Sequence, residues 1–265
     1  MEEVRGGVCH RTLRLPSGIG IVAVRPYDDH VRATFRLCSV ADLGAAVHRC
    51  RRLLDLDADP HTHAAVLAAD EVLAPPIAAN PGRRAPGAVD GAESAIRAVL
   101  GQQVSLAAAR TVCARVVATH GSPLDAPEGS LTHAFPTPDT LAAAALDGVG
   151  LPRARRETLR ELAHRLAGGA LRLDAGADRN EVRRRRLEIP GVGTWTATYI
   201  SLRALGDPDA FAAGDRGLRR AARKLGLPSS AAALAARSRR WRPWRAYAAH
   251  HLWAADGTRP TAHGG

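Results

Sequence analysis

Lysine is almost absent from this chain of 265 residues, in which Lys224 is the only one. Any chemistry that requires a lysine amine, such as Schiff-base formation, therefore has a single candidate. Cysteine is also scarce, and the four cysteines are scattered without a C-x-x-C pair. This spacing favours free thiols in a reducing compartment over disulfides or a zinc site. The cysteines are Cys9, Cys38, Cys50 and Cys113.

Long apolar runs are missing as well. No stretch reaches about 18 apolar residues, so the sequence predicts no membrane span. The N-terminal segment MEEVRGG is acidic and has no apolar region, which argues against a signal peptide. Much of the 46% hydrophobic share is alanine, which favours closely packed helices over sheets of bulky residues.

The charge is strongly unbalanced, with a formal net value of +11 at pH 7. A biased genome composition explains the use of arginine in place of lysine, but it does not explain the excess of bases over acids. A surplus of this size attracts polyanions, and nucleic acid is the first candidate partner.

The hydrophobic period changes once near the N-terminus. Residues 11–37 alternate between apolar and polar positions and are interrupted at PSGIG and PYDDH, which predicts a small antiparallel sheet. Over residues 39–56 the period is that of a helix. One face of this helix is formed by Val40, Leu43, Val47 and Leu54. The pattern predicts a strand–strand–helix domain that closes near residue 66.

The rest of the chain is predicted to be mostly helical. A long helical pattern over 92–121 is interrupted at Gly101-Gln102-Gln103. Residues 122–138 are rich in turn formers and predict an exposed loop. Further helices are expected within 63–77, 138–146, 151–169 and 209–227.

A tight turn interrupts the helical pattern within LEIPGVGTWTATYISLRALG, residues 187–206. Gly191 and Gly193 allow backbone conformations that other residues resist, and the next helix begins at once. The N–H groups at such a helix start bind a phosphate without a positive side chain, and Thr194 and Thr196 could add hydroxyl contacts. Taken alone, the pattern favours a simple tight turn.

Three further segments stand in a fixed order around this turn. They are RAVLGQQVS (97–105), DAFAAGDRGLRRAARKLGL (209–227) and WRPWRAYAAHHLW (241–253). Together with IPGVGTWTATY (189–199), they resemble the helix-hairpin-helix, or HhH-GPD, superfamily of DNA glycosylases, and within it the branch of 3-methyladenine DNA glycosylase II. The similarity runs over nearly the whole chain and is strongest from 86 to 254.

The resemblance implies an α+β fold with a mostly helical HhH-GPD core and a small N-terminal domain of antiparallel sheet plus helix. The N-terminal domain is expected at 1–66. One helical subdomain, at 67–90 and 209–265, would carry the catalytic acid, and another, at 91–208, would carry the hairpin. Family members begin with a further strand and helix, so the opening segment is expected to be missing here. Some similar proteins carry a methyl-transfer domain upstream.

The resemblance places the essential acid of the family at Asp215. A carboxylate beside the sugar stabilises the positive charge that builds up as an N-glycosidic bond breaks, and it orients or deprotonates water. From the residues alone, an aspartate in this position is a helix N-cap, and the two roles can coexist. Relatives with lyase activity have a lysine two residues after the last hairpin glycine. Trp195 stands there, which implies a glycosylase without lyase activity.

The aromatic residues Trp195, Tyr199 and Trp253 resemble the base-binding pocket of the family, and the alternative is that residues at this spacing belong to the core. A cationic alkylated purine stacks well on such rings. Flipping a base out of the duplex leaves a gap, and the family fills it with a wedge that falls at Gln103. The alternative for Gln103 is a cap at a helix break.

No cofactor or metal ion is expected to take part in the chemistry. In the family, backbone carbonyls of the hairpin hold a structural monovalent cation, which would fall near Leu187, Ile189 and Val192. An iron–sulfur cluster would need four cysteines after the catalytic helix, and no cysteine follows residue 113. Two pairs of neighbouring histidines lack a third ligand at a suitable spacing. They are His61 with His63, and His250 with His251.

The resulting prediction is a monomeric, cytoplasmic, nucleoid-associated bacterial enzyme of base excision repair. It would flip out and hydrolytically excise alkylated purines, of the 3-methyladenine and 7-methylguanine type, from double-stranded DNA. The alternative is a damage-sensing DNA-binding protein with weak or lost turnover, since some relatives carry a second acid where Gly214 stands. Arg216 occupies a pocket position that is aromatic in some relatives, so the range of substrates is expected to differ.

Overall fold

The structure is a computed structural model that describes residues 1–174 and 176–257. Its strands are β1 (Glu2–Arg5), β2 (Val8–Leu15), β3 (Gly18–Pro26), β4 (Val31–Arg36), β5 (Ser122–Glu128) and β6 (Leu131–Ala134). Its α-helices are α1 (Leu43–Leu54), α2 (Pro60–Ala68), α3 (Ala74–Ala79), α4 (Gly91–Leu100), α5 (Leu106–His120), α6 (Pro138–Ala143), α7 (Arg153–Ala167), α8 (Arg179–Leu187), α9 (Thr194–Ala204), α10 (Arg216–Lys224), α11 (Ala231–Arg237) and α12 (Arg245–Ala255).

The chain folds into two compact units. The first unit comprises residues 1–50 and 95–170, and the second comprises 51–94 and the described residues from 171 onwards. The hairpin between α8 and α9, the start of α10 and the whole of α12 therefore belong to the second unit. The predicted division into three parts, with the hairpin and the acid in separate subdomains, stays a prediction.

The first unit is built around an antiparallel sheet in the order β1-β2-β3-β4. Its centre is formed by β2 and β3, which bury Leu13 and Val22 completely. The apolar alternation predicts that the sheet starts at residue 11, but it starts with β1. Ion pairs of Glu2 hold this strand in place. The Glu2 carboxylate accepts from Arg11 at 2.6 Å and from Arg97 at 2.7 Å. Such a strand shows no apolar pattern in the sequence.

Helix α1 packs through a different face from the one formed by Val40, Leu43 and Val47. Val40, in the 3-10 turn before the helix, is 84% exposed, and Leu43 and Val47 are also exposed. The buried side chains of α1 include Ala46 and Cys50. Together with the buried Leu53, these small residues form the packed face of the helix, while Leu43 and Val47 face solvent.

The turn-rich segment 122–138 is largely exposed over 122–130, as predicted, but it is not a loop. Residues 122–134 form the hairpin β5–β6, which turns at Gly129 with φ +59°. The guanidinium of Arg14 on β2 donates to Ser122 Oγ at 2.8 Å and to the carbonyl of Phe135 at 3.0 Å. Contacts with the sheet thus order a segment whose composition is that of a loop.

The second unit has a helical core that supports α10 and α12. Helix α12 is buried along most of its length, and α10 buries the apolar side of its basic sequence. The most buried members of this core are Leu67, Leu73, Leu218, Ala221, Ala222, Leu234, Trp241, Ala246, Ala248, Ala249 and Leu252. Alanine is as frequent as leucine in this set, and the small alanine side chains on α10 and α12 allow these helices to pack closely.

The α+β class predicted from the sequence is confirmed by this arrangement of an N-terminal sheet followed by helices. A search of the described helices finds none with the length and apolar character needed to cross a bilayer.

Candidate active site

Asp215 lies at the start of helix α10, at the end of a turn in which its N–H donates to the carbonyl of Ala212 at 2.8 Å. Its extended backbone conformation makes it the N-cap, and its Oδ1 accepts the N–H of Leu218 at 2.9 Å. The capping role expected from the residues alone is therefore present, and it fixes one oxygen of the carboxylate.

Two tryptophans complete the hydrogen bonds of this carboxylate. The indole Nε1 of Trp195, on α9, donates to Oδ2 at 3.0 Å. The indole Nε1 of Trp253, on α12, donates to Oδ1 at 2.9 Å. Residues far apart in the sequence thus converge on Asp215, and each carboxylate oxygen receives an N–H from a different helix.

The aromatic rings around Asp215 differ in their exposure. Trp195 and Tyr199, one turn apart on α9, are half-buried and stack with ring centroids 5.3 Å apart and planes 14° apart. Trp253 is only 6% exposed, and its ring meets the buried ring of His250 edge-on at 5.1 Å. The stacked pair therefore offers a ring face to a ligand, whereas Trp253 offers mainly its N–H edge to the carboxylate.

The loop that leads to Asp215 is tied to α12. Arg245 donates to both oxygens of Asp209, at 2.6 and 2.7 Å, and Arg242 donates to one of them at 2.9 Å. Burial raises the pKa of Asp209, but the hydrogen bonds and charges of Arg245 and Arg242 together outweigh it, and the pKa lies below the ordinary value. The N–H of Ala246 donates to the carbonyl of Pro208 at 2.9 Å. Asp215 and Trp253 are thereby held on connected elements.

The hairpin has the expected shape. Gly191 adopts φ +84°, which glycine accepts without strain, and Gly193 is the N-cap of α9. Gly193 has no side chain and so does not cap the N–H groups of the first turn of α9, the kind of group that binds an anion at a helix start. Thr194 is exposed, but Thr196 is only 3% exposed. The hydroxyl of Thr196 is therefore buried in the chain alone, and its contact with a phosphate stays a prediction.

The hairpin carbonyls expected to hold a cation belong to the short segment between α8 and α9. The carbonyl of Ile189 accepts the N–H of Val192 at 3.0 Å and keeps its second lone pair. A cation at these carbonyls stays a prediction.

Gln103 lies in the first unit, in the turn between α4 and α5. It is exposed and has a positive φ of 55°, an uncommon conformation for a residue with a side chain. Val104 and Leu106 beside it are also exposed. A strained, exposed turn with an apolar border fits a residue that contacts a partner, and the wedge role itself stays a prediction.

The arginine run before the hairpin is not a uniform surface. Arg184 and Arg185 are exposed and pair with Glu181. Arg186 is fully buried and donates to the carbonyl of Val182 at 3.0 Å and to Ser201 Oγ at 2.8 Å. Arg186 therefore joins α8 to α9 and is not available to a partner.

Three of the four paired histidines, His63, His250 and His251, are buried in the core, whereas His61 is exposed. His63 stacks on Tyr247 at 3.8 Å, and burial lowers the pKa of His63 to about 4. Burial also lowers the pKa of His250 to about 3 and that of His251 to about 4. Over residues 1–174 and 176–257, no group of three or more His, Cys, Asp or Glu side chains is arranged to hold a metal ion.

The sequence did not indicate which residues hold the carboxylate of Asp215 in place. A Cβ at Gly217 would lie 3.1 Å from Asp215 Oδ1 and 3.2 Å from Cδ1 of Trp253, so this glycine leaves room for the indole. A glycine in the first turn of a basic helix weakens that helix, which is the one local signal of a packing requirement.

The comparisons with known proteins agree with this geometry. Residues 1–90 match the AlkA N-terminal domain, and residues 96–246 match the HhH-GPD superfamily of base excision DNA repair proteins. The chain belongs to the HhH-GPD superfamily. The match contains the hairpin, Trp195 and Asp215, and the resemblance found in the sequence motifs is confirmed.

Individual HhH-GPD relatives cover the chain almost completely. It is 52% identical over 252 residues, 95% of its length, to a Mycobacterium tuberculosis protein named as a probable bifunctional transcriptional activator and DNA repair enzyme AlkA. The chain spans 51% of that relative. It is 34% identical over 269 residues to the DNA-3-methyladenine glycosylase 2 of Escherichia coli, covering 98% of this chain and 90% of the relative.

The fold also matches a solved HhH-GPD structure. The 3-methyladenine DNA glycosylase of Archaeoglobus fulgidus superposes with a TM-score of 0.84 at 23% identity. The match covers 97% of this chain and 89% of that one. At this identity the superposition supports the fold alone.

Proposed function

We propose that the chain is a DNA glycosylase that hydrolyses the N-glycosidic bond of alkylated purines, of the 3-methyladenine and 7-methylguanine type. The observation that carries the proposal is a single carboxylate, Asp215, fixed by neutral N–H donors beside the stacked rings of Trp195 and Tyr199. The name of the Escherichia coli relative, at 34% identity, points to the same activity.

The proposed reaction breaks the bond between the sugar C1′ and the purine nitrogen, and the electron pair leaves with the base. Positive charge then builds up on the sugar, and the Asp215 carboxylate stabilises it. Water adds to C1′, and its proton passes to the carboxylate and on to solvent. The products are a free base and an abasic site. A cationic purine leaves readily and stacks well on the electron-rich face of Trp195.

We further propose that the enzyme does not cleave the strand. A lyase reaction of this kind needs an amine that forms a Schiff base with the sugar. Lys224 ends α10, nine residues beyond the N-cap, which places it about 13 Å along the helix from Asp215. Its Nζ also lies 3.0 Å from the buried carboxylate of Asp256. The only lysine is therefore distant from the site and already paired.

Double-stranded DNA is the proposed partner, and a single chain is the proposed active form. A net charge of +11 favours association with phosphates. Gly191, Gly193 and Thr194 would present N–H groups and one hydroxyl to the DNA backbone. Gln103 would fill the gap that the flipped base leaves.

The test is release of free base from methylated duplex DNA. The wild type should release methylated purines, and Asp215→Asn should lose release while it keeps DNA affinity. Asparagine retains the N-cap acceptor but places an amide N–H₂ against one of the indole N–H groups. The matched control is Asp207→Asn in the same loop, because the side-chain oxygen of Asp207 accepts the N–H of Asp209 and an asparagine oxygen also accepts it. Unchanged release by Asp215→Asn would refute the assignment of the acid.

Borohydride separates the hydrolase from a lyase. No covalent protein–DNA adduct should be trapped during turnover. An adduct that disappears in Lys224→Arg would overturn the proposed monofunctional chemistry. Binding of methylated DNA by the wild type without any base release would instead support the damage-sensing alternative.

A further inference from the structure

Trp253 is the least exposed aromatic ring at the site, and its contacts are directed at the acid. Its indole N–H donates to Asp215 Oδ1 at 2.9 Å, and only 6% of the residue is exposed. The buried ring of His250 meets it edge-on at 5.1 Å. A ring that stacks on a ligand needs an open face, and this one is enclosed by its own unit.

A glycine next to Trp253 leaves room for the indole to reach the carboxylate of Asp215. Gly217 is buried, and a Cβ there would lie 3.3 Å from Nε1 of Trp253 and 3.1 Å from Asp215 Oδ1. Any side chain at this position would have to displace one of the two partners by a few tenths of an ångström. The chain thus keeps a helix-weakening residue where the indole meets the acid.

The hydrogen bonds divide the two oxygens of Asp215 unequally. A carboxylate has about four acceptor sites, two on each oxygen. Oδ1 accepts from Leu218 at 2.9 Å and from Trp253 at 2.9 Å, so both of its sites are used. Oδ2 accepts from Trp195 at 3.0 Å, which leaves one site among the hydrogen bonds of the described residues.

We propose that Trp253 is a positioning residue that acts through Asp215, and that Oδ2 is the oxygen that faces the sugar and the attacking water. The proposal rests on the glycosylase function proposed above. Trp195 contributes both a hydrogen bond to the reactive oxygen and, with Tyr199, a stacking face for the base. Trp253 contributes the hydrogen bond alone.

The test replaces the indole N–H and keeps the ring. Benzothienylalanine, in which sulfur takes the place of the indole N–H, is incorporated at position 253. A hydrogen bond to a charged group is lost, so the single-turnover excision rate should fall roughly ten- to a hundredfold. The affinity for methylated duplex should not change, and the ratio of 3-methyladenine to 7-methylguanine excision should stay as in the wild type.

Trp241 supplies the matched control, because its Nε1 donates to Asp70 Oδ2 at 2.7 Å in the same unit, away from Asp215. The same replacement there should leave the excision rate at the wild-type value. A full rate with benzothienylalanine at position 253 would overturn the proposal. So would a changed ratio between the two bases, because that result assigns Trp253 to base stacking. An equal loss at position 241 would also overturn it, since the effect would then be general destabilisation.

Indole N–H resonances test the geometry without any turnover. Asp215→Ala should shift the resonances of Trp195 and Trp253 and leave those of Trp241 and Trp244 in place. If the wild type releases no base, the proposed function fails, and this measurement still decides whether the two indoles hold the carboxylate. Resonances of Trp253 that do not respond to the loss of Asp215 would contradict the inference.

Discussion

Acidification to about pH 5 is expected to destabilise the second unit strongly, through its buried histidines. His63, His250 and His251 are buried there, and their pKa values are lowered by burial from 6.5 to about 4, 3 and 4 respectively. Both ring nitrogens of His63, and Nε2 of the other two, have no hydrogen-bond partner within the described part of the chain. Protonation of these rings in the folded state would create buried charges without a partner.

The sign of the effect follows from proton binding in the two states. Above about pH 6.5 the histidines are neutral in both the folded and the unfolded chain. Below that pH the unfolded chain binds a proton on each, and the folded unit does not until the pH approaches the lowered pKa values. The free energy of unfolding therefore falls as the pH falls, by about 1.4 kcal/mol per pH unit for each histidine.

The expected magnitude is large for a domain of this size. At about pH 5, each histidine lowers the free energy of unfolding by about 2 kcal/mol, and the three together lower it by roughly 6 kcal/mol. Native proteins have a free energy of unfolding of about 5–15 kcal/mol, so this loss is a large part of the total stability.

Neighbouring charges change the size of this loss in the free energy of unfolding, but acidification still destabilises the second unit. After burial, the guanidinium groups of Arg83 and Arg84 are the main neighbouring charges that lower the pKa of His251 and His63. Asp55 acts in the opposite direction, because burial raises its pKa and lets it bind a proton earlier in the folded state than in the unfolded one. One carboxylate offsets a part of the effect of three imidazoles.

The assay is urea unfolding at about pH 7.5 and pH 5, followed by tryptophan fluorescence. All four tryptophans lie in the second unit, so the signal reports that unit. His63→Phe keeps a ring against Tyr247, removes one titrating group and should reduce the acid sensitivity by about 2 kcal/mol. His61→Gln is the control on the same helix, since His61 is exposed and should leave the sensitivity unchanged.

Two results would refute this reasoning. The first is equal stability at the two pH values, because buried histidines with lowered pKa values must reduce the free energy of unfolding between them. The second is an equal effect of the substitutions at 61 and 63, because the sensitivity would then not come from burial.

Three further predictions concern the stability of single positions. Gln103→Gly should raise the free energy of unfolding by about 1 kcal/mol in thermal melts, because glycine relieves the positive φ. Asp256→Asn should lower it by about 2 kcal/mol in urea titrations, because the buried Asp256 carboxylate pairs with Arg220 and Lys224. Gly91→Ala should lower it by about 1–3 kcal/mol in the same titrations, since a Cβ would lie 2.2 Å from the carbonyl oxygen of Leu173. An unchanged unfolding midpoint in any of these variants would contradict the prediction for that position.

The parts of the fold that follow local rules are predictable from the sequence. The break at Gln103, the helix start at Asp215 and the stop after α7, where Gly169 adopts φ +70°, all depend on residues within one turn. The packed face of α1 and the hairpin β5–β6 depend on other elements. The helical pattern places Val40 on the apolar face, and only the tertiary structure shows that it is 84% exposed.

The motifs name candidate site residues, whereas the hydrogen bonds between those residues cannot be predicted from the motifs. Trp195 and Trp253 are 58 positions apart, and their shared contact with Asp215 requires α9, α10 and α12 to pack together. The burial of Thr196 and of Arg186 also depends on tertiary packing. Arg186 is buried although both of its sequence neighbours are exposed, and Thr196 is buried although Thr194 on the same first turn is exposed. Sequence spacing assigns such residues to a surface, and packing decides which of them reach it.

The hydrogen-bond donors around Asp215 are neutral, and this affects the charge that the carboxylate can offer to the sugar. An ion pair would also orient a carboxylate, but the cation would cancel part of the negative charge that the sugar cation needs. Indole and backbone N–H groups orient it and leave its full charge. Within the described residues no basic side chain forms an ion pair with Asp215, and Arg220, one turn along α10, pairs with Asp256. With the carboxylate held in this way, a second acid at Gly214 is not needed to orient it, which favours turnover over a purely sensing role.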